Sequence, residues 1–139
     1  MHRIDVSSWL RWGLGIDCAA SATMGLLFVL FPAQISTLFH LPAAGVVAVG
    51  SFCLMYAAVI GRMAQRARLP RWSVWAVVIG NALWAVDSVL LVSVDLLSPN
   101  EWGRMFILLQ AALVFGFAEW QYLGLKRSPD AMIAGVAPQ

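Results

Sequence analysis

Charged residues are scarce in this sequence of 139 residues. Lys, Arg, Asp and Glu together make up 12% of the chain, hydrophobic residues make up 61%, and the mean hydropathy is +0.80. Because soluble globular domains carry about 25% charged residues, this composition excludes an ordinary soluble domain. The small net charge of +2 also speaks against a nucleic-acid partner. The sequence therefore predicts a protein whose main partner is a lipid bilayer.

Cysteine and histidine are equally scarce. Cys18 and Cys53 lie inside apolar runs without a CxxC spacing, His2 lies near the N-terminus and His40 lies in a linker. These positions give neither a disulfide framework nor a zinc site, and they leave no histidine inside a span to bind haem. The P-loop, HExxH, nucleophile-elbow and dinucleotide fingerprints are missing as well. No metal or cofactor is expected, and the sequence leans against an enzyme.

Long apolar runs are what the sequence has in abundance. A helix needs about 20 apolar residues to cross the hydrocarbon core, and four runs reach that length, at about 9–31, 43–63, 72–94 and 102–125. Asp17 interrupts the first run, which favours a retained span over a cleaved signal peptide. Short linkers make sequential spans antiparallel neighbours. The predicted fold is an all-α, four-transmembrane-helix bundle in one membrane domain, residues 1–127, followed by a short flexible tail, residues 128–139.

An internal repeat is also possible in this pattern. A shift of 63 positions lays the first two spans over the last two without a gap, and it places Trp9 on Trp72 and Trp12 on Trp75. In so apolar a sequence, chance matches are common. Two alternatives stay open: two pseudo-repeated helical hairpins related by an axis along the membrane normal, or coincidence.

The basic residues predict the orientation. Arg62, Arg66, Arg68 and Arg71 cluster between the second and third spans. Further cations lie near both termini, and short loops rich in Lys and Arg stay on the cytoplasmic side. We therefore expect an integral protein of a bacterial inner membrane with both termini cytoplasmic. The same arginine cluster is expected to set the topology, to contact anionic lipid headgroups, or both.

Polar residues inside the spans are the chemical clue. An ionisable group deep in a membrane costs about 2.5 kcal/mol or more unless it faces a partner or water, so these side chains are expected to turn into the bundle. The candidates for a ligand site or proton pathway are Asp17, Tyr56, Asn81, Trp84, Asp87, Gln110 and Glu119. The alternative is that they form hydrogen bonds that only fix which helices are neighbours. Ion pairs of Arg11 with Asp17 and of Arg62 with Glu119 are a further option.

The third span is predicted to occupy the centre of the bundle. Asn81 and Ser88 are seven residues apart and share one helix face, whereas Asp87 lies about 100° around the helix from Ser88. A helix with polar groups on two faces is expected to have a neighbour on each. We therefore expect Asp87 to point inward with Asn81.

Small residues indicate close helix contacts. Ala57 and Gly61, like Ala112 and Gly116, have the small-xxx-small spacing that lets two helix backbones approach. In length and span number the chain resembles small four-span bacterial inner-membrane proteins, loosely those of the DoxX type. The favoured function is a non-enzymatic accessory or association protein, in a homo-oligomer or a larger membrane complex. The alternative is a small carrier or ligand-binding protein that uses intramembrane Asp, Glu and Asn, and a membrane enzyme acting on a lipid or quinone is third.

Overall fold

Five helices account for most of the chain in the computed structural model, which describes residues 3–131. Four of them are long and apolar enough to cross a membrane. The helices are α1 (Ser8–Leu30), α2 (Pro32–Phe39), α3 (Ala43–Ala64), α4 (Arg71–Ser93) and α5 (Glu101–Lys126). Each long helix begins and ends within one residue of an apolar run in the sequence. The predicted class, an all-α bundle of four membrane-spanning helices, is confirmed.

Local signals fix the helix ends. The Ser7 side chain accepts a hydrogen bond from the backbone N–H of Leu10 and so caps α1. Pro32 is the first residue of α2. Proline is favoured there because a backbone N–H at this position would have no acceptor within the helix. Asn100 caps α5 by accepting from the Gly103 N–H, and its amide donates to the Leu38 carbonyl at 2.8 Å. This second bond ties the start of α5 to the end of α2.

Helix α1 is the central helix of the bundle. It packs along α3, where Gly25 and Gly50 face each other so closely that a Cβ at Gly25 would lie 2.8 Å from the Gly50 carbonyl oxygen. It also packs against α5, where a Cβ at Gly124 would lie 2.7 Å from the Leu10 Cα. Helix α4 packs closely along α5 and reaches α3 mainly through side chains. The prediction that the third span lies at the centre is therefore wrong.

The possible repeat remains a hypothesis. A shift of 63 carries both ends of α1, Ser8 and Leu30, onto both ends of α4, Arg71 and Ser93. The packing does not follow the same symmetry, because α1 contacts α5 closely whereas the equivalent pair, α4 and α3, does not. If the two hairpins arose by duplication, their contacts have diverged.

A small sheet closes the end of the bundle at which α1 begins and α5 ends. Strand β1 (Arg3–Asp5) pairs antiparallel with β2 (Arg68–Pro70), with Ile4 opposite Leu69. On its other edge, β1 bonds to the residues after α5. Asp5 N–H donates to the Pro129 carbonyl and Ala131 N–H donates to the Arg3 carbonyl, both at 2.9 Å. We call β1, β2 and residues 129–131 the cap.

The cap corrects the prediction of a flexible tail that begins at residue 128. Ser128 is buried, and its hydroxyl lies 2.8 Å from the Gly124 carbonyl and 3.1 Å from the Ser7 hydroxyl. These bonds, with those of Pro129 and Ala131, hold residues 128–131 against β1. The rest of the predicted tail, residues 132–139, lies outside the described residues.

A tightly packed apolar layer lies directly under the cap. Its members come from β1, β2 and all four long helices, and each is at most 7% exposed. They are Ile4, Leu10, Leu14, Ile60, Leu69, Val74, Val77 and Leu125. This layer separates the middle of the bundle from the aqueous phase on the cap side.

Candidate functional site

Asp17 is the centre of a hydrogen-bonded cluster that joins all four long helices. Its side chain is 1% exposed and lies about 14 Å along α1 from Ser8. Its Oδ2 atom lies 2.7 Å from Gln121 Nε2 on α5, 2.9 Å from Asn81 Nδ2 on α4 and 2.9 Å from the Tyr56 hydroxyl on α3. Its Oδ1 atom accepts from Ser21 on the next turn of α1 at 3.2 Å. We call these five residues the Asp17 cluster.

The partners of Asp17 are also bonded to one another. The Tyr56 hydroxyl lies 2.9 Å from Asn81 Oδ1, and Asn81 Nδ2 donates to Gln121 Oε1 at 3.1 Å. Every buried side-chain nitrogen and oxygen among the described residues has a partner. Since buried polar groups without partners are costly, this complete pairing explains how the apolar spans hold so many of them.

A second polar contact joins α4 to α5 in the other half of the bundle. Trp84 Nε1 donates to Gln110 Oε1 at 3.0 Å, and Gln110 Nε2 donates to the Ser88 hydroxyl at 2.8 Å. The Phe52 ring stacks on the Trp84 ring with centroids 5.5 Å apart. This stack and the bond between Tyr56 and Asn81 are two side-chain contacts that join α3 to α4.

Asp87 and Glu119 lie on the outside of the bundle, which corrects the prediction that they turn inward. Both side chains are exposed. On α4 the buried face runs through Asn81, Ala85 and Ser88, and no second helix packs closely on the face that carries Asp87. On α5, Glu119 lies opposite the buried Gln121 because two residues span about 200° of helix. The predicted ion pairs are also not formed: in residues 3–131 neither Arg11 nor Arg62 pairs with an acid.

Two members of the Asp17 cluster were not among the predicted site residues. Ser21 lies one helical turn after Asp17 and could have been found from that spacing. Gln121 lies near the predicted interface, and its inward direction follows the buried positions Ala111, Ala118 and Leu125 on α5. A search for polar residues that lie on the same helix face as a row of small apolar residues would have identified Gln121.

A cavity of about 310 Å³ lies beside the Asp17 cluster. This is at the small end of the range of about 300–1,000 Å³ for ligand sites. Its lining combines four of the five cluster residues, and Trp84 and Gln110 of the second polar contact, with aromatic and aliphatic side chains. The lining residues are Asp17, Ala20, Ser21, Met24, Phe52, Cys53, Tyr56, Ala76, Gly80, Asn81, Trp84, Gln110, Leu113, Val114 and Phe117.

The cavity opens to the side of the bundle. All of its lining residues lie in the middle of the four long helices, and several of them, such as Phe52, Gly80 and Leu113, are exposed. The apolar layer under the cap lies between the cavity and that end of the protein. A bilayer around the four long helices would place this side of the bundle against the acyl chains.

The arginine cluster of the sequence divides into two pairs. Arg68 forms an ion pair with Asp5 at 2.9 Å, and Arg71 forms one with Asp130 at 3.4 Å, both within the cap. Arg62 and Arg66 are exposed and make no ion pair with residues 3–131. Of the four arginines in the cluster, only these two have no acidic partner among the described residues.

Comparison with protein-family models, curated proteins and solved structures finds no significant match to this chain.

Proposed function

We propose that this protein binds a small, lipid-soluble ligand in the cavity beside the Asp17 cluster, and that the ligand enters from the bilayer. The observation that carries the proposal is the cavity itself: a laterally open space of about 310 Å³ in which Asp17, Tyr56 and Asn81 lie beside apolar and aromatic walls. Ligand sites are typically apolar cavities with a few convergent polar groups. A ligand with an apolar body and one small polar or charged group fits this lining.

The placement of the polar groups supports a ligand site over simple packing. Hydrogen bonds that only fix helix neighbours need no empty space next to them. Here the cluster and the contact between Trp84 and Gln110 both border the same cavity. A carrier function is a natural extension, since the cap closes one end and alternate opening of that end would complete a transport path.

Filling the cavity tests the proposal. Gly80 lines the cavity, and a Cβ placed there would meet no atom within 4 Å, so Gly80→Leu adds a side chain to the space with little effect on helix packing. Three probes of matched shape are benzyltrimethylammonium, neopentylbenzene and dimethylbenzylcarbinol, which present a cationic, an apolar and a hydroxyl group. We expect saturable binding of at least one of them to the full chain in lipid nanodiscs, measured by calorimetry, and at least tenfold weaker binding to Gly80→Leu.

Gly15→Leu is the matched control for this experiment. Gly15 also has open space around its Cβ position, but it does not line the cavity. Binding should therefore match that of the wild type. The proposal is wrong if none of the probes binds beyond the level of empty nanodiscs, or if Gly80→Leu and Gly15→Leu bind alike.

A second candidate function is lateral association, and the outward face of α5 favours it. Ala112, Gly116 and Glu119 lie on this face and are exposed, and a Cβ at Gly116 would meet nothing within 4 Å. By contrast, Ala57 is buried and a Cβ at Gly61 would lie 3.0 Å from Cys18 Sγ, so the first small-xxx-small pair serves packing between α1 and α3. Only the second pair is free to meet another helix.

Oligomeric state in nanodiscs tests this second candidate. If α5 associates through its small residues, Gly116→Leu converts an oligomer into a monomer, as measured by light scattering, whereas Gly15→Leu leaves it intact. A wild-type protein that is monomeric at all concentrations would contradict the candidate.

We further propose that both termini and the cap lie on the cytoplasmic side of a bacterial inner membrane. The unpaired charges of Arg62 and Arg66, with Lys126 and Arg127, lie at the cap end of the bundle. Basic residues at one end of a membrane protein favour the cytoplasmic side. At the opposite end Arg104 is paired with Asp95 at 2.9 Å.

A further inference from the structure

The polar side chains of the Asp17 cluster that line the cavity use their hydrogens inside the protein. Ser21 donates its one hydrogen to Asp17 Oδ1. Asn81 donates both hydrogens of Nδ2, one to Asp17 Oδ2 and one to Gln121 Oε1. The Tyr56 hydroxyl has one hydrogen, and two acceptors, Asp17 Oδ2 and Asn81 Oδ1, each lie 2.9 Å from it. Ser21, Asn81 and Tyr56 therefore keep no hydrogen for a ligand.

The hydrogens of the second polar contact are used in the same way. Gln110 donates the two hydrogens of Nε2 to the Ser88 hydroxyl at 2.8 Å and to the Ile107 carbonyl at 3.0 Å. Trp84 donates its indole hydrogen to Gln110 Oε1. Because an indole N–H can only donate, this contact also fixes which end of the Gln110 amide is the oxygen. Cys53 lines the cavity as well, but a thiol is only a weak donor.

The amide oxygens of the lining can still accept. Each amide oxygen has two lone pairs. Among residues 3–131, Gln110 Oε1 accepts one hydrogen bond from a side chain, Trp84, and Asn81 Oδ1 accepts at most one, from Tyr56. Asn81 is only 5% exposed, whereas Gln110 is half-buried. Gln110 Oε1 is therefore the more accessible acceptor of the two.

The rest of the lining is apolar. The Phe52 and Trp84 rings lie parallel, with an interplanar angle of 2°, and Met24, Leu113 and Phe117 add apolar surface. A hydrocarbon body gains little by leaving lipid tails for such walls, because the tails are as apolar as the side chains. An O–H group, by contrast, has no acceptor among acyl chains and finds one in this cavity. The polar group should therefore decide which ligand binds best.

We propose that the ligand of this cavity is a lipid-soluble alcohol or phenol, which donates its hydroxyl hydrogen to Gln110 Oε1. This inference rests on the proposed ligand site and names its ligand class. A ketone, an ester, an ether or a quinone carries an acceptor but no polar hydrogen. The oxygen of such a molecule would meet side-chain hydrogens that are already bonded, so the cavity selects against it.

Two pairs of matched ligands test the inference on the wild-type protein. In the first pair, dimethylbenzylcarbinol has a hydroxyl where neopentylbenzene has a methyl group. In the second pair, the methyl ether of dimethylbenzylcarbinol is compared with the hydrocarbon in which a methylene group replaces the ether oxygen. The ether keeps the oxygen of the alcohol and lacks its hydrogen. The two pairs therefore separate donation by the ligand from mere polarity.

Calorimetry in lipid nanodiscs measures the four affinities, each referred to the ligand concentration in the lipid so that partitioning into the bilayer cancels. We expect the alcohol to bind at least about tenfold more tightly than neopentylbenzene, because a hydrogen bond made in apolar surroundings does not compete with water. The ether should bind no more tightly than its hydrocarbon.

Gln110→Met locates the acceptor. Methionine has a similar size, but it removes the amide oxygen and leaves the Trp84 N–H without the acceptor that it has in the wild type. The variant should therefore bind the ether more tightly than its hydrocarbon, and the alcohol should lose its advantage over the ether. Gln34→Met is the matched control, because Gln34 is exposed on α2 and does not line the cavity. This control should keep the wild-type order of affinities.

The outcomes separate this inference from the proposed function. If the ether, a hydrocarbon or benzyltrimethylammonium binds as tightly as the alcohol and Gly80→Leu blocks that binding, the cavity is a ligand site but the alcohol inference is wrong. The inference is also wrong if Gln110→Met keeps the wild-type order, and if this variant does not fold, the two ligand pairs on the wild type decide. If no ligand binds beyond the level of empty nanodiscs, both proposals are overturned.

Discussion

The two intramembrane aspartates differ in what surrounds them. Asp17 contacts Ser21, Tyr56, Asn81 and Gln121 inside the bundle, whereas Asp87 lies exposed on α4. The same carboxyl group is therefore a structural centre at one position and a surface group at the other. Substitutions at the two positions should therefore change the free energy of unfolding by different amounts.

Replacing each aspartate by leucine should affect the free energy of unfolding differently. Asp17→Leu leaves the amides of Asn81 and Gln121 without their shared acceptor, and an unsatisfied buried polar group costs about 1–3 kcal/mol. We expect the free energy of unfolding to fall by about that amount. Asp87→Leu removes an exposed charge from the membrane face and should leave the free energy of unfolding unchanged or raise it.

Unfolding by SDS titration in mixed micelles measures both variants. Equal destabilisation by the two substitutions would contradict the assignment of Asp17 to the interior and Asp87 to the surface.

Sequence reasoning reached part of this residue-level picture. It identified Asp17, Tyr56 and Asn81 as inward-facing because polar groups in long apolar runs must find partners. It was wrong for Asp87 and Glu119, since position along a span gives the depth of a residue but not the direction it faces. That direction depends on which helices become neighbours, and α4 has a close neighbour on one side only.

At the scale of the helices, glycine sets how closely they approach. Gly124 on α5 lies against the α1 backbone, where an added Cβ would be 2.7 Å from the Leu10 Cα. Gly116, two turns earlier on the same helix, has nothing within 4 Å of its Cβ position. Identical substitutions at these two positions should therefore have different effects.

Gly124→Ala should destabilise the protein, because backbone atoms of α1 must move to admit the methyl group. Overpacking of this kind costs about 1–3 kcal/mol. Gly116→Ala should be neutral or stabilising by up to about 1 kcal/mol, since alanine is the better helix former. Thermal unfolding in detergent measures both, and a loss of stability in Gly116→Ala as large as in Gly124→Ala would contradict the packing of α1 against α5.

The sequence predicts the long helices well and the cap not at all. Twenty or more apolar residues in a row are a strong local signal for a span. Strands of three residues, Arg3–Asp5 and Arg68–Pro70, are too short to show a period, and they pair across more than sixty positions. Their pairing depends on the bundle bringing the ends of α1, α4 and α5 together.

At the scale of the whole molecule, the cap fixes three parts of the chain on one side of the membrane. Residues 3–5, 68–70 and 129–131 bond to one another, so the N-terminal strand, the linker between α3 and α4 and the end of α5 cannot lie on opposite sides. What remains to be measured is which side that is.

Cysteine labelling decides the orientation. In a background with Cys18→Ala and Cys53→Ala, Gln65→Cys lies at the cap end and Leu96→Cys lies at the opposite end, and both positions are exposed. A membrane-impermeant maleimide added to intact spheroplasts should label Leu96→Cys and spare Gln65→Cys until the membrane is permeabilised. Labelling of Gln65→Cys in intact spheroplasts would reverse the proposed topology.

The position of Asp17 near the beginning of the chain has a consequence for biogenesis. Its partners Tyr56, Asn81 and Gln121 are synthesised 39, 64 and 104 residues later. Until those helices are made, the Asp17 carboxyl of the first span has only Ser21, on its own helix, as a side-chain partner within the Asp17 cluster. A chain that stops before α5 lacks Gln121, which lies 2.7 Å from Asp17 Oδ2, so the set of partners around this acid is complete only when the last helix has been added.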